Sequence, residues 1–247
     1  TSVLMYRDLP EGKRELILRN PISGETLLEH TFEGLSENVR VLGRIIDGRY
    51  AVTLSSLGKN LVWDLENAKV VCDMEVEPIP ELSGFHVLPR LDSLVMLPAT
   101  IDAPSDTGSV AMTTTNGEVH VRVDAAAWAV GLQTGKELWR CSLEKQSWGC
   151  TLTQSPASPL VLLTRSKSRY LTTGSRMKSL DVLAIDVRDG KTYPSLDLPV
   201  ESFNNEIETR LTVQLPQSRV IVNIGPVVLD YSFGGTPQKP FVPRMLD

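Results

Sequence analysis

Apolar residues in this chain come in short bursts, not at helical spacing. The runs VLMY (3–6), YAVTL (50–54), SLVML (93–97), PLVLL (159–163) and RVIVNI (219–224) are too short for helices and rich in Val, Ile or Leu. Gly, Pro, Asn, Asp or Ser lies near each of them. Runs of that length and composition, set off by turn formers, are the signature of buried strands. Where polar residues intervene, they alternate. In 209–215, Leu211, Val213 and Leu215 fall at every second position, which puts them on one face of a pleated strand. No segment sustains a helical period over three turns, so the pattern predicts a predominantly β chain.

The turns repeat. NPISG (20–24), DLENA (64–68), GLQTG (131–135), DVRDG (186–190) and DYSFG (230–234) each follow an apolar strand. The first position is Asn20, Asp64, Asp186 or Asp230, with Gly131 the exception; the fifth is Gly24, Gly135, Gly190 or Gly234, with Ala68 the exception. An Asx side chain accepts hydrogen bonds from backbone amides two or three residues on, and a closing glycine supplies the positive φ that a short reversal needs. A further strand is predicted after four of the turns, at 26–32, 69–76, 136–143 and 191–198.

The fifth positions are separated by 44, 67, 55 and 44 residues. Four short strands with their turns occupy about 40–50 residues, the size of a propeller blade. The longer intervals then hold insertions, expected at 99–108 (ATIDAPSDTG) and 166–177 (SKSRYLTTGSRM), both polar and lying between apolar strands where a surface hairpin tolerates them. The expected fold is an all-β propeller of four-stranded antiparallel blades in five units: 1–34, 35–78, 79–145, 146–200 and 201–247. Either five blades close by sharing one between the termini, or the chain is part of a seven- or eight-bladed propeller. The chain opens at Thr1 without a methionine, and TSVLMYRD has neither the basic start nor the long apolar stretch of a secretion signal. That favours a cut from a longer parent, and hence the second arrangement.

One segment carries a resemblance. AVGLQTGKELWRCSLE, at 129–144, resembles the repeat of pyrroloquinoline-quinone-like β-propellers in Thr134, Gly135, Lys136 and Trp139, with Gly131 in place of the usual Asp. VLAIDVRDGK (182–191) is similar in Ala184, Asp186, Gly190 and Lys191, but Pro194 stands where the Trp belongs. NLVWDLENAKVV (60–71) is similar to this family or to a WD repeat. The resemblance implies radially arranged blades with Trp139 docking between neighbours. The family includes quinone-dependent alcohol dehydrogenases, a periplasmic lipoprotein of outer-membrane assembly and many uncharacterised bacterial proteins, which implies a bacterial periplasm or cell envelope.

Composition narrows the function classes. The 247 residues are 41% apolar and 22% charged, ordinary for one large or two small globular domains and unlike collagen, coiled coil or a disordered chain. Thirty acids against 25 bases give a net charge of −5. That argues against nucleic acid or anionic lipid as a whole-surface partner. The longest apolar run, 125–132, is too short to span a bilayer. The three cysteines, Cys72, Cys141 and Cys150, form no CxxC, and an odd count rules out a fully paired framework. Cys72 and Cys141 sit among apolar residues and read as small buried hydrophobes.

Chemistry is sparse. The dehydrogenases of the resembling family hold a quinone between a Trp and a disulfide of adjacent cysteines, beside a calcium ion; no Cys-Cys pair occurs here. Three of the four tryptophans, Trp63, Trp128, Trp139 and Trp148, lie in or beside predicted strands and read as packing residues. His30, His86 and His120 show no zinc spacing, and there is no GxSxG or Walker-type loop. Asp186, Asp189 and Asp230 sit in repeated turns, where backbone capping is a more economical role than calcium binding. No catalytic, cofactor-binding or metal-ligating residue is assigned.

One charge feature departs from the acidic average. From Thr151 to Leu180 there is no acid, while Arg165, Lys167, Arg169, Arg176 and Lys178 supply five positive charges among Ser, Thr and Tyr170. As a hairpin, this segment could present a basic patch to an anion or an acidic partner; as a solvated insertion, its charges would only guard a sheet edge. The expected function is a non-catalytic protein-interaction or scaffolding module of a larger bacterial protein, with a protein partner. The alternative is a quinone-dependent or glycan-acting propeller enzyme whose site lies partly outside this chain.

Overall fold

The computed structural model describes residues 3–33, 39–100, 112–115, 118–143, 148–151, 154–170, 176–200, 209–214, 219–224, 227–232 and 242–245. All regular elements among them are strands, and all strand pairs are antiparallel. The first sheet orders β1 (Val3–Leu9), β2 (Lys13–Arg19) and β3 (Thr26–Phe32). The second orders β4 (Val41–Ile46), β5 (Tyr50–Ser55), β6 (Lys59–Asp64) and β7 (Lys69–Glu75). The third is built from β8 (Leu82–Pro89), β9 (Ser93–Thr100), β12 (Ala126–Gly131) and β13 (Glu137–Ser142).

The fourth sheet has six strands. β14 (Trp148–Thr151), β15 (Leu160–Tyr170), β16 (Arg176–Asp186) and β17 (Thr192–Val200) follow the usual order, and β10 (Met112–Thr115) and β11 (Glu118–Val123) extend it beyond β14. The fifth orders β18 (Thr209–Gln214), β19 (Arg219–Ile224), β20 (Val227–Ser232) and β21 (Val242–Met245).

Alternation explains how these sheets stack. In the second sheet, Ala51, Leu61 and Trp63 pack against Leu16 and Phe32 of the first, while Val52, Leu54, Val62 and Cys72 pack against the third. In the third, Leu94, Met96, Trp128 and Val130 face back, and Val95, Leu97, Ala127 and Ala129 face forward. In the fourth, Val161, Leu163 and Ile185 face back, and Leu160, Leu162, Val182 and Ala184 meet Val220, Val222, Leu229 and Tyr231 of the fifth. Each middle sheet is therefore buried on both faces, which is why its strands read as continuous apolar runs. Sheets stacked face to face in chain order, each a small antiparallel meander, are the blades of a β-propeller.

The repeated turns occupy equivalent corners. They join β2 to β3, β6 to β7, β12 to β13 and β16 to β17, always ahead of the last strand of the sheet. Asn20 Oδ1 accepts from the amides of Ile22 (2.9 Å) and Ser23 (3.3 Å), Asp64 Oδ1 from Glu66 (3.0 Å) and Asn67 (3.2 Å), and Asp186 Oδ1 from Arg188 (2.9 Å). The closing residues Gly24, Gly135 and Gly190 have φ of 72°, 66° and 72°, and Ala68 takes the same left-handed conformation at 49°. Ala68 thus fills a glycine's place at the expense of backbone strain. Three residues past the closing position, the strand pairing skips Leu27, Val71 and Leu138, a bulge shared by the first three sheets. In the fifth sheet, residue 234 lies outside the described residues.

The turn glycines also set how close the blades come. A Cβ on Gly135 would stand 2.0 Å from the Val71 carbonyl oxygen of the preceding blade, and one on Gly190 would stand 2.8 Å from the Trp139 ring. Trp139 Nε1 donates to the Val187 carbonyl of the next blade at 2.7 Å, so the docking role implied for Trp139 is the one observed. The innermost strands meet as well: Arg40 Nη1 donates to the Leu82 carbonyl (3.2 Å) and Arg44 Nε to that of Phe85 (3.1 Å).

The two long intervals carry structure around the expected insertions. Ala99 and Thr100 complete β9, residues 101–110 lie outside the described residues, and the hairpin β10–β11 then leaves the third sheet and pairs with β14 of the fourth. Val121 and Val123 enter the third–fourth seam beside Leu88, Val95 and Leu97. Asp124 Oδ1 accepts from the Thr100 amide at 2.7 Å, and its Oδ2 meets Arg122 Nε at 2.8 Å. The hairpin stitches one blade to the next. In the other segment, the described residues 166–170 and 176–177 prolong β15 and β16, whose pairing runs unbroken from Leu160–Asp186 to Tyr170–Arg176; residues 171–175 lie outside the described residues.

Candidate functional site

The prolonged β15–β16 ribbon forms an arm, with strands of 11 residues where β5 and β6 have six. The first two of its five bases are anchored at its root. Arg165 lies opposite Asp181, whose side chain is fully buried. Asp181 Oδ2 accepts from Arg165 Nε (3.2 Å) and Nη2 (2.6 Å) and meets Lys167 Nζ at 2.6 Å. The Arg165 guanidinium also covers the Trp148 ring at 4.8 Å. Arg169 stands opposite Met177, Arg176 opposite Tyr170 and Lys178 opposite Ser168; the side chains of these three bases lie outside the described residues. By strand alternation, positions 165, 167 and 169 belong to one face of the ribbon and 176 and 178 to the other. The five positions therefore do not share one face of the ribbon.

Removing the anchor tests this arrangement. Asp181→Asn is expected to destabilise the protein by about 2 kcal/mol, less than the roughly 3–5 kcal/mol of a fully buried broken pair, because both cations can turn toward water. Their side chains are 22% and 37% exposed. Urea unfolding checks the value; a change below about 0.5 kcal/mol would show that Asp181 does not anchor the arm.

The other sequence candidates are structural. Asp186 caps its turn and binds the Arg188 guanidinium (Nη2 to Oδ2, 2.6 Å), Asp189 Oδ1 accepts from the Lys191 amide (3.0 Å), and Asp230 binds Arg219 (Nη2 to Oδ2, 2.5 Å). Asp64 lies below the usual carboxylate range, chiefly because the Asn67 amide donates to it. Trp63, Trp128, Trp139 and Trp148 are buried, and Trp128 Nε1 donates to Asn60 Oδ1 at 3.1 Å. Burial pushes the thiols of Cys72 and Cys141 up to about 11 and that of Cys150 to about 12, so all three are inert thiols at neutral pH. His86 is buried, and burial, with Arg44 nearby, lowers it to about 4. The His120 side chain lies outside the described residues.

One concave site was not foreseen. A cavity of about 330 Å³ opens between the first and second blades, lined by His30, Phe32 and Glu33 of the first blade and Leu57, Lys59 and Glu75 of the second. The His30 ring meets Phe32 edge-on at 4.8 Å and Trp63 at 5.6 Å. Burial lowers the His30 pKa, opposed by Asp73 and assisted by Lys59, and the imidazole is neutral at pH 7. Lys59 Nζ bonds Asp73 Oδ1 at 2.5 Å, although the residue opposite Lys59 in register is Glu75. No local motif announces this site, because strand pairing and blade stacking gather its residues from β3, the β5–β6 turn and the ends of β6 and β7.

No family model matches the chain, and no curated protein matches it. Among solved structures, the computationally designed Ika4 protein is similar with 13% identity and a TM-score of 0.34, over 76% of this chain and 88% of that one. The designed Ika8 protein shows 14% identity and a TM-score of 0.27, over 96% of this chain and 70% of that one. BamB from Moraxella catarrhalis shows 13% identity and a TM-score of 0.26, over all of this chain and 90% of that one.

Proposed function

We propose that this β-propeller is a non-catalytic interaction module of a larger bacterial cell-envelope protein, and that the β15–β16 arm is its contact for an acidic protein partner. The arm itself is the observation that carries the reading. It runs past the length of ordinary blade strands, and beyond Arg165 and Lys167 it bears Arg169, Arg176 and Lys178 with no acid between Thr151 and Leu180. Asp181 pairs with the two root bases, and the reading takes the three distal bases as the recognition charges. The Trp139 dock, together with Thr134, Gly135 and Lys136, supports a place among pyrroloquinoline-quinone-like propellers.

Fluorescently labelled poly-L-glutamate tests the contact by anisotropy. Binding that weakens with salt and is lost in the Arg169→Ser, Arg176→Ser, Lys178→Ser triple variant is the expected result. Binding that ignores either change would overturn the arm as the contact. Reduction of a dye by an alcohol, after loading with quinone and calcium, would overturn the non-catalytic reading.

A further inference from the structure

The cavity between the first and second blades has an apolar, aromatic wall and an acidic mouth. Phe32 and Trp63 are nearly buried behind His30, while Leu57 is half exposed on the opposite side. Charges around the opening do not balance. Lys59, the one cation in the lining among the described residues, is held by Asp73. Among the described residues, Glu33 meets one cation, Lys13, at 3.6 Å, and its side chain is 75% exposed. Glu75 has no ion-pair partner among the described residues.

We propose that this cavity binds an alkylammonium group, with the cationic head between Glu33 and Glu75 and the hydrocarbon chain along Leu57, Phe32 and His30. A carboxylate or phosphate would meet two like charges at the mouth. A neutral apolar ligand would strip water from both glutamates without replacing it. A cation gains charge-assisted hydrogen bonds from the carboxylates, while its hydrocarbon chain is sheltered by the apolar wall. The inference is independent of the arm and stands or falls separately from the proposed function.

Two sources carry this chemistry, a free amine and a lysine side chain of a polypeptide, and the same titration separates them. The probes are n-butylammonium chloride, N-acetyl-lysine-N-methylamide and N-acetyl-norleucine-N-methylamide, the last having a similar chain without the ammonium. The readout is the imidazole proton resonance of His30, identified by its loss in His30→Gln. Both cations are expected to shift it saturably, the norleucine compound and matched sodium chloride not. Glu33→Gln and Glu75→Gln, at surface positions, are each expected to weaken binding about five- to ten-fold. Tighter binding of the lysine compound than of butylammonium would identify a polypeptide side chain as the occupant, and equal binding a free amine. No saturable shift, an equal shift with the norleucine compound, or unchanged affinity in both glutamine variants would overturn the proposal.

Discussion

Trp139→Ala is expected to lower the unfolding free energy by about 3–5 kcal/mol, the range for removing a buried tryptophan from a seam that cannot collapse. The indole is 5% exposed and belongs to the cluster joining the third and fourth blades. The turn it covers cannot follow it inward, because Gly190 is fixed at a φ of 72° by its bond to the Asp186 carbonyl. Losing the indole would also strand the Val187 carbonyl. Trp139→Phe separates the two contributions, keeping most of the packing and forfeiting a hydrogen bond of about 1 kcal/mol. Leu138→Ala is the control; Leu138 is 45% exposed in the bulge, so a change within about 0.5 kcal/mol is expected. Urea unfolding followed by circular dichroism measures all three without relying on the altered fluorophore. If Trp139→Ala and Leu138→Ala cost the same, the docking role of the indole would be wrong.

The second large effect is a pH dependence centred on His86. In the folded protein His86 is buried and its pKa is about 4, while in the unfolded chain it returns to 6.5. Between those values the unfolded chain binds the extra proton and the folded one does not, so stability falls as pH falls. The loss begins near pH 6.5 and is complete below pH 4. It amounts to about 3 kcal/mol at the acid end. Asp64, with its pKa lowered, adds a loss of the same sign at more acidic pH. The decisive measurement is the pH slope of the urea midpoint in His86→Leu against the parent protein. A shallower slope between pH 6.5 and 4 is expected in the variant, and identical slopes would remove His86 as the cause.

Strand positions and the corner turns were legible because both are local. A β-strand buried on two faces leaves a continuous apolar run, and an Asx-to-glycine reversal leaves two residues at fixed spacing. The docking of Trp139 was implied by the resemblance of 129–144 to a known repeat and by no local rule, because its partners Val187 and Gly190 lie in the next blade. The salt bridge from Arg165 and Lys167 to Asp181 was not legible. Its acid lies one residue past the acid-free stretch, and only the register of β15 against β16 brings it opposite Arg165. Nor was His30 legible as a cavity residue, because its partners there come from another blade.

Sequence by itself determined the all-β class, the blade-sized period and the corner geometry, each dictated by side-chain alternation or by backbone conformation within a few residues. Only the tertiary structure decided that β10–β11 crosses to the fourth sheet, that Asp181 silences two of the five bases, and that an acid-rimmed cavity opens between the first two blades. Those features depend on which distant edges and faces meet, and pairing and packing between remote segments carry no local periodicity to read.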